Sequence, residues 1–177
     1  MIGGQIQITQ RLKRSGTIRD KLRREPTMRL SRMQDIGGCR AVLPTLEAIR
    51  HVERRFVANS RRRNREDDRV RDYVATPRSS GYRAVHIHTR YRGRRIEVQL
   101  RTPWQHRWAR LLEDLTSRTG IDYKSGDGPF EHHELLRELG GLYALRDVSG
   151  HSLAGQDQNL VGLAGALEQL FERDVRR

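Results

Sequence analysis

The segment Gly81 to Thr102, GYRAVHIHTRYRGRRIEVQLRT, carries histidines, one carboxylate, a glutamine and arginines in alternation with valine, isoleucine and leucine. Guanidinium and imidazole groups gathered round one carboxylate would handle anions. Whether these groups meet depends on the turn between the two halves. Arg92-Gly93 predicts a two-residue hairpin turn. Tyr91 then opposes Arg94, Thr89 opposes Ile96, His88 opposes Glu97, Ile87 opposes Val98 and His86 opposes Gln99. Side chains alternate along a strand, so His86, His88, Glu97, Gln99 and Arg101 share one face. Val85, Ile87, Ile96, Val98 and Leu100 share the other. A three-residue turn would mix the sets, so the pattern selects the register. By pattern alone the polar face reads first as a solvated sheet surface with one Glu–His pair, since antiparallel sheets commonly wet one side. If the first strand reaches back to Tyr82, its ring lies over that face too.

Other chemistries lack their residues. There is no G-x-x-x-x-G-K-[ST] phosphate cradle, and Gly37-Gly38 and Gly126-Asp127-Gly128 are too short for a dinucleotide fingerprint. His132-His133-Glu134 does not have H-E-x-x-H spacing, and Cys39 stands alone, so no structural zinc motif is read. No serine sits in a nucleophile elbow. Chemistry must come from arginines, lysines and a few carboxylates.

The elements that would position these residues follow from periodicity. A helix is expected over 17–33, with Thr17 as N-cap and Pro26 interrupting it. A break at Gly37-Gly38 precedes a strand at 39–44. Ile49, Val52 and Phe56 predict a helix from Leu46 to Phe56. The polar segment 57–68 reads as a loop or frayed end, and 69–76 as a strand. The hairpin strands fall at about 83–91 and 94–101. Thr102-Pro103-Trp104-Gln105 predicts a capped helix start, after which Trp104, Trp108, Leu111, Leu112 and Leu115 recur at helical spacing as core. Residues 122–129 read as a loop. Helices close the chain at about 130–146, lined by Phe130, Leu135, Leu139 and Leu142, and at about 157–173. The sum is an α+β or α/β fold: a mixed, mostly antiparallel sheet of about four or five strands with flanking helices and a C-terminal helical segment.

With 177 residues the default is one domain with a sizeable core. Cys39 cannot form an intrachain disulfide, which suits a reducing compartment. No run of about 18 apolar residues is present and the N-terminal residues lack a signal pattern, so a cytoplasmic protein is expected without a membrane partner. The formal net charge of +13 favours polyanionic partners: nucleotides, nucleic acid or an acidic antitoxin-like protein. All basic residues but Lys13, Lys21 and Lys124 are arginine, a bias that a GC-rich genome also produces.

Four blocks, RLKRSGTIRDKL (11–22), MQDIGGCRAVL (33–43), RVRDYVATPRSSGYRAVH (69–86) and EVQLRTPWQHRWARLLE (97–113), resemble in order and spacing the synthetase domain of RelA/SpoT-type alarmone synthetases, above all the small single-domain ones. The resemblance implies a nucleotidyltransferase-like synthetase core at 1–125 with a C-terminal helical extension at 126–177. It implies transfer of the β,γ-pyrophosphate of ATP to the ribose 3′-hydroxyl of GDP or GTP, giving (p)ppGpp. Arg11, Lys13, Lys21 and Arg40 are then expected on the ATP side. Asp35 and Glu97 are the expected catalytic carboxylates and Mg²⁺ ligands, with Glu97 also placed to activate the hydroxyl. Tyr82 would stack on the acceptor base. Arg78, His86, Gln99, Arg101, Arg69 and Arg71 would serve the acceptor and its phosphates. An adenine-stacking arginine is expected near Arg50 or Arg54.

The chain departs from the family pattern at Ser80, where asparagine is usual, at Arg78, usually lysine, and at Arg83-Ala84-Val85-His86, usually Q-S-L-H-like. By the resemblance, these positions fall where the acceptor is judged. A second reading therefore stays open: a toxin of a toxin–antitoxin pair that pyrophosphorylates the tRNA 3′ end or an adenosine nucleotide. Homo-oligomers and an antitoxin partner are further implications of the resemblance. A third, non-enzymatic reading, a degenerate fold that only binds, is opposed by Asp35, Tyr82 and Glu97 occurring together.

Overall fold

The computed structural model describes residues 6–13, 15–33 and 35–148, and beyond them only helical positions 162, 165 and 169. Apart from these three positions, the helix expected at 157–173 lies outside the described residues. The chain forms two compact units, Met1–Asp72 with Ala84–Arg101, and Tyr73–Arg83 with Thr102–Arg177.

The first unit is built on a five-stranded sheet of order β1-β2-β5-β4-β3. Its strands are β1 (Gln7–Leu12), β2 (Gly37–Val42), β3 (Arg69–Asp72), β4 (Val85–Tyr91) and β5 (Arg94–Arg101). Only β2 and β5 pair in parallel; the other neighbours are antiparallel. The β4–β5 hairpin turns at Arg92 and Gly93, both with positive φ (48° and 75°). That geometry matches the twist of the flanking strands. Its register is the expected one, His88 opposite Glu97 and His86 opposite Gln99.

Helix α1 (Ser15–Arg24) is shorter than the expected 17–33. Pro26 disfavours helical backbone in the residue before it, and only a 3₁₀ turn at Leu30–Arg32 follows. Helix α2 (Leu46–Arg62), capped by Thr45 Oγ1 on the Ala48 amide, runs past Phe56 into the arginine-rich segment. Arginine is a good helix former, and its charge stays in water on an exposed helix end. Helix α2 packs against β5. Strand β1 adds an edge that the pattern does not announce, and β3 stops at Asp72 rather than 76.

The second unit holds α3 (Pro103–Thr119) and α4 (Phe130–Val148), which pack together. The expected capping box is present: Thr102 Oγ1 accepts from the Gln105 amide at 3.2 Å and Gln105 Oε1 from the Thr102 amide at 3.3 Å. Trp104 and Trp108 are core, their rings 5.7 and 5.2 Å from Tyr143. Gly140 meets the turn at Gly81 so closely that a Cβ on it would lie 3.0 Å from the Gly81 Cα. That contact and the Tyr123–His132 bond (3.1 Å) fix the rotation of α4. The stripe expected on α4 is accordingly corrected. His132, Leu136, Leu139, Gly140 and Tyr143 are buried, whereas Phe130, Leu135 and Leu142 are exposed.

Candidate active site

The sheet register sets side chains from all five strands in two parallel rows. One row runs Arg11, Gly38, Glu97, His88, Arg69; the next runs Thr9, Arg40, Gln99, His86, Arg71. Opposed residues share a face, and residues two apart share it again, so both rows lie on one side of the sheet.

Glu97 is the hub. Its Oε2 accepts from Arg11 Nη1 at 3.0 Å and from Gln99 Nε2 at 2.6 Å. Its Oε1 lies 2.9 Å from His86 Nδ1 and 3.9 Å from His88 Nε2. Arg101 Nη2 donates to Gln99 Oε1 at 3.0 Å, which turns the Gln99 amide toward Glu97. His86, His88, Glu97, Gln99 and Arg101 are all buried. The solvated reading of this face is therefore corrected: a hydrogen-bonded polar network occupies it. Burial pushes the Glu97 carboxyl up, but the hydrogen bond and charge of His86, then Gln99 and Arg11, hold it far below the ordinary carboxylate range. Burial also lowers the pKa of His88, against the pull of Glu97, so its imidazole is neutral.

A second cluster lies in the same unit. Lys13, whose amide donates to the Ile36 carbonyl at 2.9 Å, ties the end of β1 to the segment entering β2. Its Nζ donates to Asp35 Oδ2 at 2.5 Å, and Lys21 Nζ on α1 lies 3.8 Å from Oδ1. Burial raises the Asp35 pKa, but Lys13 and then Lys21 outweigh it and hold the carboxyl ionised; the charge of Glu97 opposes them. Asp35 Oδ1 is buried with no hydrogen-bond partner among the described residues. An orphaned carboxylate oxygen that feels a second carboxylate suits a hard divalent cation such as Mg²⁺, which takes oxygen ligands.

Other expected site residues are engaged elsewhere. Arg69 closes the loop before β3, donating to the carbonyls of Glu66 and Asp68. Arg71 is exposed, and its charge helps to lower the His88 pKa. Arg50 donates to both Glu53 and Asp72, each at 2.7 Å. In the second unit, β4 does not reach Tyr82, which instead follows a turn closed by Gly81 N to Arg78 O (2.9 Å), its own carbonyl accepting from the Arg78 amide at 3.2 Å. Its placement on the hairpin face is therefore corrected. The Tyr82 ring is fully buried, with Lys124 Nζ 4.7 Å from its centroid. Arg78 donates to the Lys124 carbonyl and to Tyr73 Oη, both at 3.0 Å. Two residues escape sequence reasoning. Lys124 gives no signal, because D-Y-K-S-G-D-G reads only as a loop, and Gly38 reads only as a break.

Among the described residues no helix is long and apolar enough to cross a membrane. Residues 10–125 match the family model described as the region found in RelA / SpoT proteins. The chain is 31% identical over 130 residues to the uncharacterized protein Rv1366 of Mycobacterium tuberculosis, covering 71% of this chain and 45% of that protein. It is 31% identical over 121 residues to the GTP pyrophosphokinase YjbM of Bacillus subtilis, covering 61% and 54%. The chain thus spans about half the length of the curated relatives it matches. Its fold resembles the crystal structure of small alarmone synthetase 1 from Bacillus subtilis, with TM-score 0.61 and 26% identity over 86% of this chain and 79% of that one. The same synthetase bound to its product pppGpp gives TM-score 0.59 at 26% identity, covering 80% and 74%. With a five-stranded mixed sheet of the small alarmone synthetase type and the family region spanning most of its length, the chain belongs to the RelA/SpoT synthetase family.

Proposed function

We propose that the chain transfers the β,γ-pyrophosphate of ATP to the ribose 3′-hydroxyl of GDP or GTP, making (p)ppGpp and releasing AMP. The observation that carries this reading is Glu97, a single ionised carboxylate surrounded by Arg11, His86 and Gln99, with the Lys13–Asp35–Lys21 cluster close enough for the two carboxylates to repel. The relatives named as a GTP pyrophosphokinase and as a synthetase bound to pppGpp support it.

In this reading the 3′-oxygen attacks the β-phosphorus of ATP and the bond from that phosphorus to the α–β bridging oxygen breaks. Such a transfer asks the protein mainly for positioning and for neutralisation of phosphate charge. Arg11, Lys13, Lys21 and Arg40 receive the triphosphate. Asp35 and Glu97 would hold Mg²⁺, which when bound neutralises phosphate oxygens. In the free protein Arg11 is spent on Glu97. Phosphate oxygens compete for its guanidinium, and as Arg11 turns to them the Glu97 carboxylate gains proton affinity and an open lone pair. A carboxylate with so low a pKa accepts a proton poorly, so substrate binding itself raises Glu97 toward the role of base. The family resemblance gives Arg101, His86 and Gln99, and in the second unit Arg78 and Tyr82, their roles toward the acceptor; a base stacking on Tyr82 would displace the Lys124 ammonium from that ring.

The test is a parallel assay with labelled ATP and separate acceptors GDP, GTP, AMP and deacylated tRNA. Label on GDP or GTP is expected. Label on tRNA or AMP alone would sink the alarmone reading in favour of a toxin-type activity.

A further inference from the structure

The hairpin brings together three ligand atoms that the proposed reaction does not use as a set. His86, His88 and Glu97 are all buried, and one donor atom from each lies within 4.8 Å of the others. His86 Nδ1 and His88 Nε2 both face the same carboxylate oxygen, Oε1 of Glu97, at 2.9 and 3.9 Å. The opposite oxygen, Oε2, is held by Arg11 and Gln99, so the carboxylate cannot rotate freely. His88 is the informative member: both of its ring nitrogens are buried without a hydrogen-bond partner among the described residues. A buried imidazole of this kind calls for an explanation, since nearly all buried polar groups are satisfied.

We propose that His86 Nδ1, His88 Nε2 and Glu97 Oε1 form a site for a divalent transition-metal ion of the zinc class. Zinc binds imidazole nitrogen and carboxylate oxygen at about 2.0–2.2 Å, with three protein ligands leaving a fourth position open. Donors arranged tetrahedrally at that distance stand roughly 3.4 Å apart, so the cluster needs only small side-chain adjustments. Nitrogen donors exclude Mg²⁺ as the natural occupant, because that ion prefers oxygen. Gln99 and Arg11, bonded to the far carboxylate oxygen, are the outer contacts that orient a ligand of this type. A zinc-class ion here engages the carboxylate on which the proposed transfer depends. It therefore acts as an inhibitor rather than a cofactor, and that regulatory part rests on the proposed function.

Co²⁺ serves as the spectroscopic probe. The full chain is titrated with CoCl₂, and visible d–d absorption and calorimetric stoichiometry are recorded. Wild type is expected to take one ion with a low-coordinate visible spectrum. His88→Leu and His88→Val, which place an apolar residue without a metal-ligating atom on that buried strand, are expected to lose that spectrum and bind at least about tenfold more weakly. Only a variant whose thermal melt without metal matches wild type is scored, and calorimetry on Glu97→Gln is expected to show the same weakening. Equal Co²⁺ binding by wild type and a folded His88 variant, or no visible band in wild type, overturns the site. Metal binding decides the matter whether or not pyrophosphate transfer is seen. Where transfer is seen, micromolar-range Zn²⁺ inhibition should be lost in His88→Leu; inhibition that persists there overturns the regulatory part alone.

Discussion

Arg11 on the edge strand and Glu97 on the central strand pair through a strand that lies between them. Arg11 is the register partner of Gly38, and Gly38 is the register partner of Glu97, yet Arg11 Nη1 reaches Glu97 Oε2 at 3.0 Å. The middle residue makes this possible by offering no side chain in the row. Gly38 also runs so close to β5 that a Cβ there would lie 1.9 Å from the Glu97 carbonyl oxygen.

Gly38→Ala should therefore force β2 away from β5 at the one position where the carboxylate is anchored. Backbone offers no flexible end that could give way, so the cost is that of overpacking, about 1–3 kcal/mol. Transfer activity should fall far more than stability does, because Glu97 moves relative to Arg11. Urea denaturation beside a turnover assay checks this. A variant as active and as stable as wild type would show that the close approach is not required.

Much of this arrangement is legible in the chain because the hairpin states its own register. Alternation of Val85, Ile87, Ile96, Val98 and Leu100 against His86, His88, Glu97 and Gln99 leaves one pairing that segregates the two sets, and Arg92-Gly93 supplies its turn. The Thr102–Gln105 capping box is equally readable, since its contacts are local. Burial of the polar face is not readable. Whether a charged row is wet depends on what covers it, and alternation has the same form in either case. The stripe on α4 misleads for a related reason: leucines occur nearly all round that helix, so Gly140 and His132, not apolar spacing, choose the inward side. Gly38 gives no signal at all, because a glycine required by a neighbouring strand looks like any chain break.

Lys13 and Asp35 form a second test of how charge is held. Lys13→Met would leave Asp35, among the described residues, with Lys21 at 3.8 Å as its remaining cation. Both partners are largely shielded, at 11% and 18% side-chain exposure, so the single change should cost about 2 kcal/mol, somewhat less than breaking a fully buried pair. Lys13→Met with Asp35→Asn should recover part of that loss, because no unpaired charge then remains. Transfer should be absent from the double variant and the ATP KM raised in the single one. Thermal melts with steady-state kinetics distinguish these outcomes. A double variant less stable than the sum of its singles would contradict the pairing.

In the second unit, Trp108 Nε1 donates to the Ser80 carbonyl at 3.1 Å, inside the Arg78–Gly81 turn that leads into Tyr82. Trp108→Phe keeps most of the apolar contact with Tyr143 and leaves that buried carbonyl without its donor. A loss of about 1–3 kcal/mol is expected. If Tyr82 serves the acceptor base, the KM for GDP or GTP should rise while that for ATP stays near its wild-type value. Equal rises in both would assign Trp108 a purely structural role.

Asp147 gives a pH dependence of known sign. Gln105 Nε2 donates to its Oδ2 at 3.0 Å, which links α4 to the start of α3. Burial pushes the carboxyl above its ordinary value of 3.8, although hydrogen bonds from Thr102 and Gln105 and the charge of Arg83 oppose the rise. The folded chain thus holds this proton more tightly than the unfolded chain does. The contribution of Asp147 to stability is fully present below pH 3.8 and is lost as pH rises through the folded value. Asp147→Asn has no proton to lose, and its carboxamide oxygen still accepts from Gln105. The stability of the variant relative to wild type should accordingly improve from acid toward neutral pH and then level off. Urea midpoints measured across that range, at constant ionic strength, give the curve. A difference that favours the variant more strongly in acid would mean that the bonds from Thr102 and Gln105 outweigh burial and that Asp147 is held ionised as a true partner of the α3 cap, and a difference flat with pH would mean that the two cancel; either overturns the expected sign.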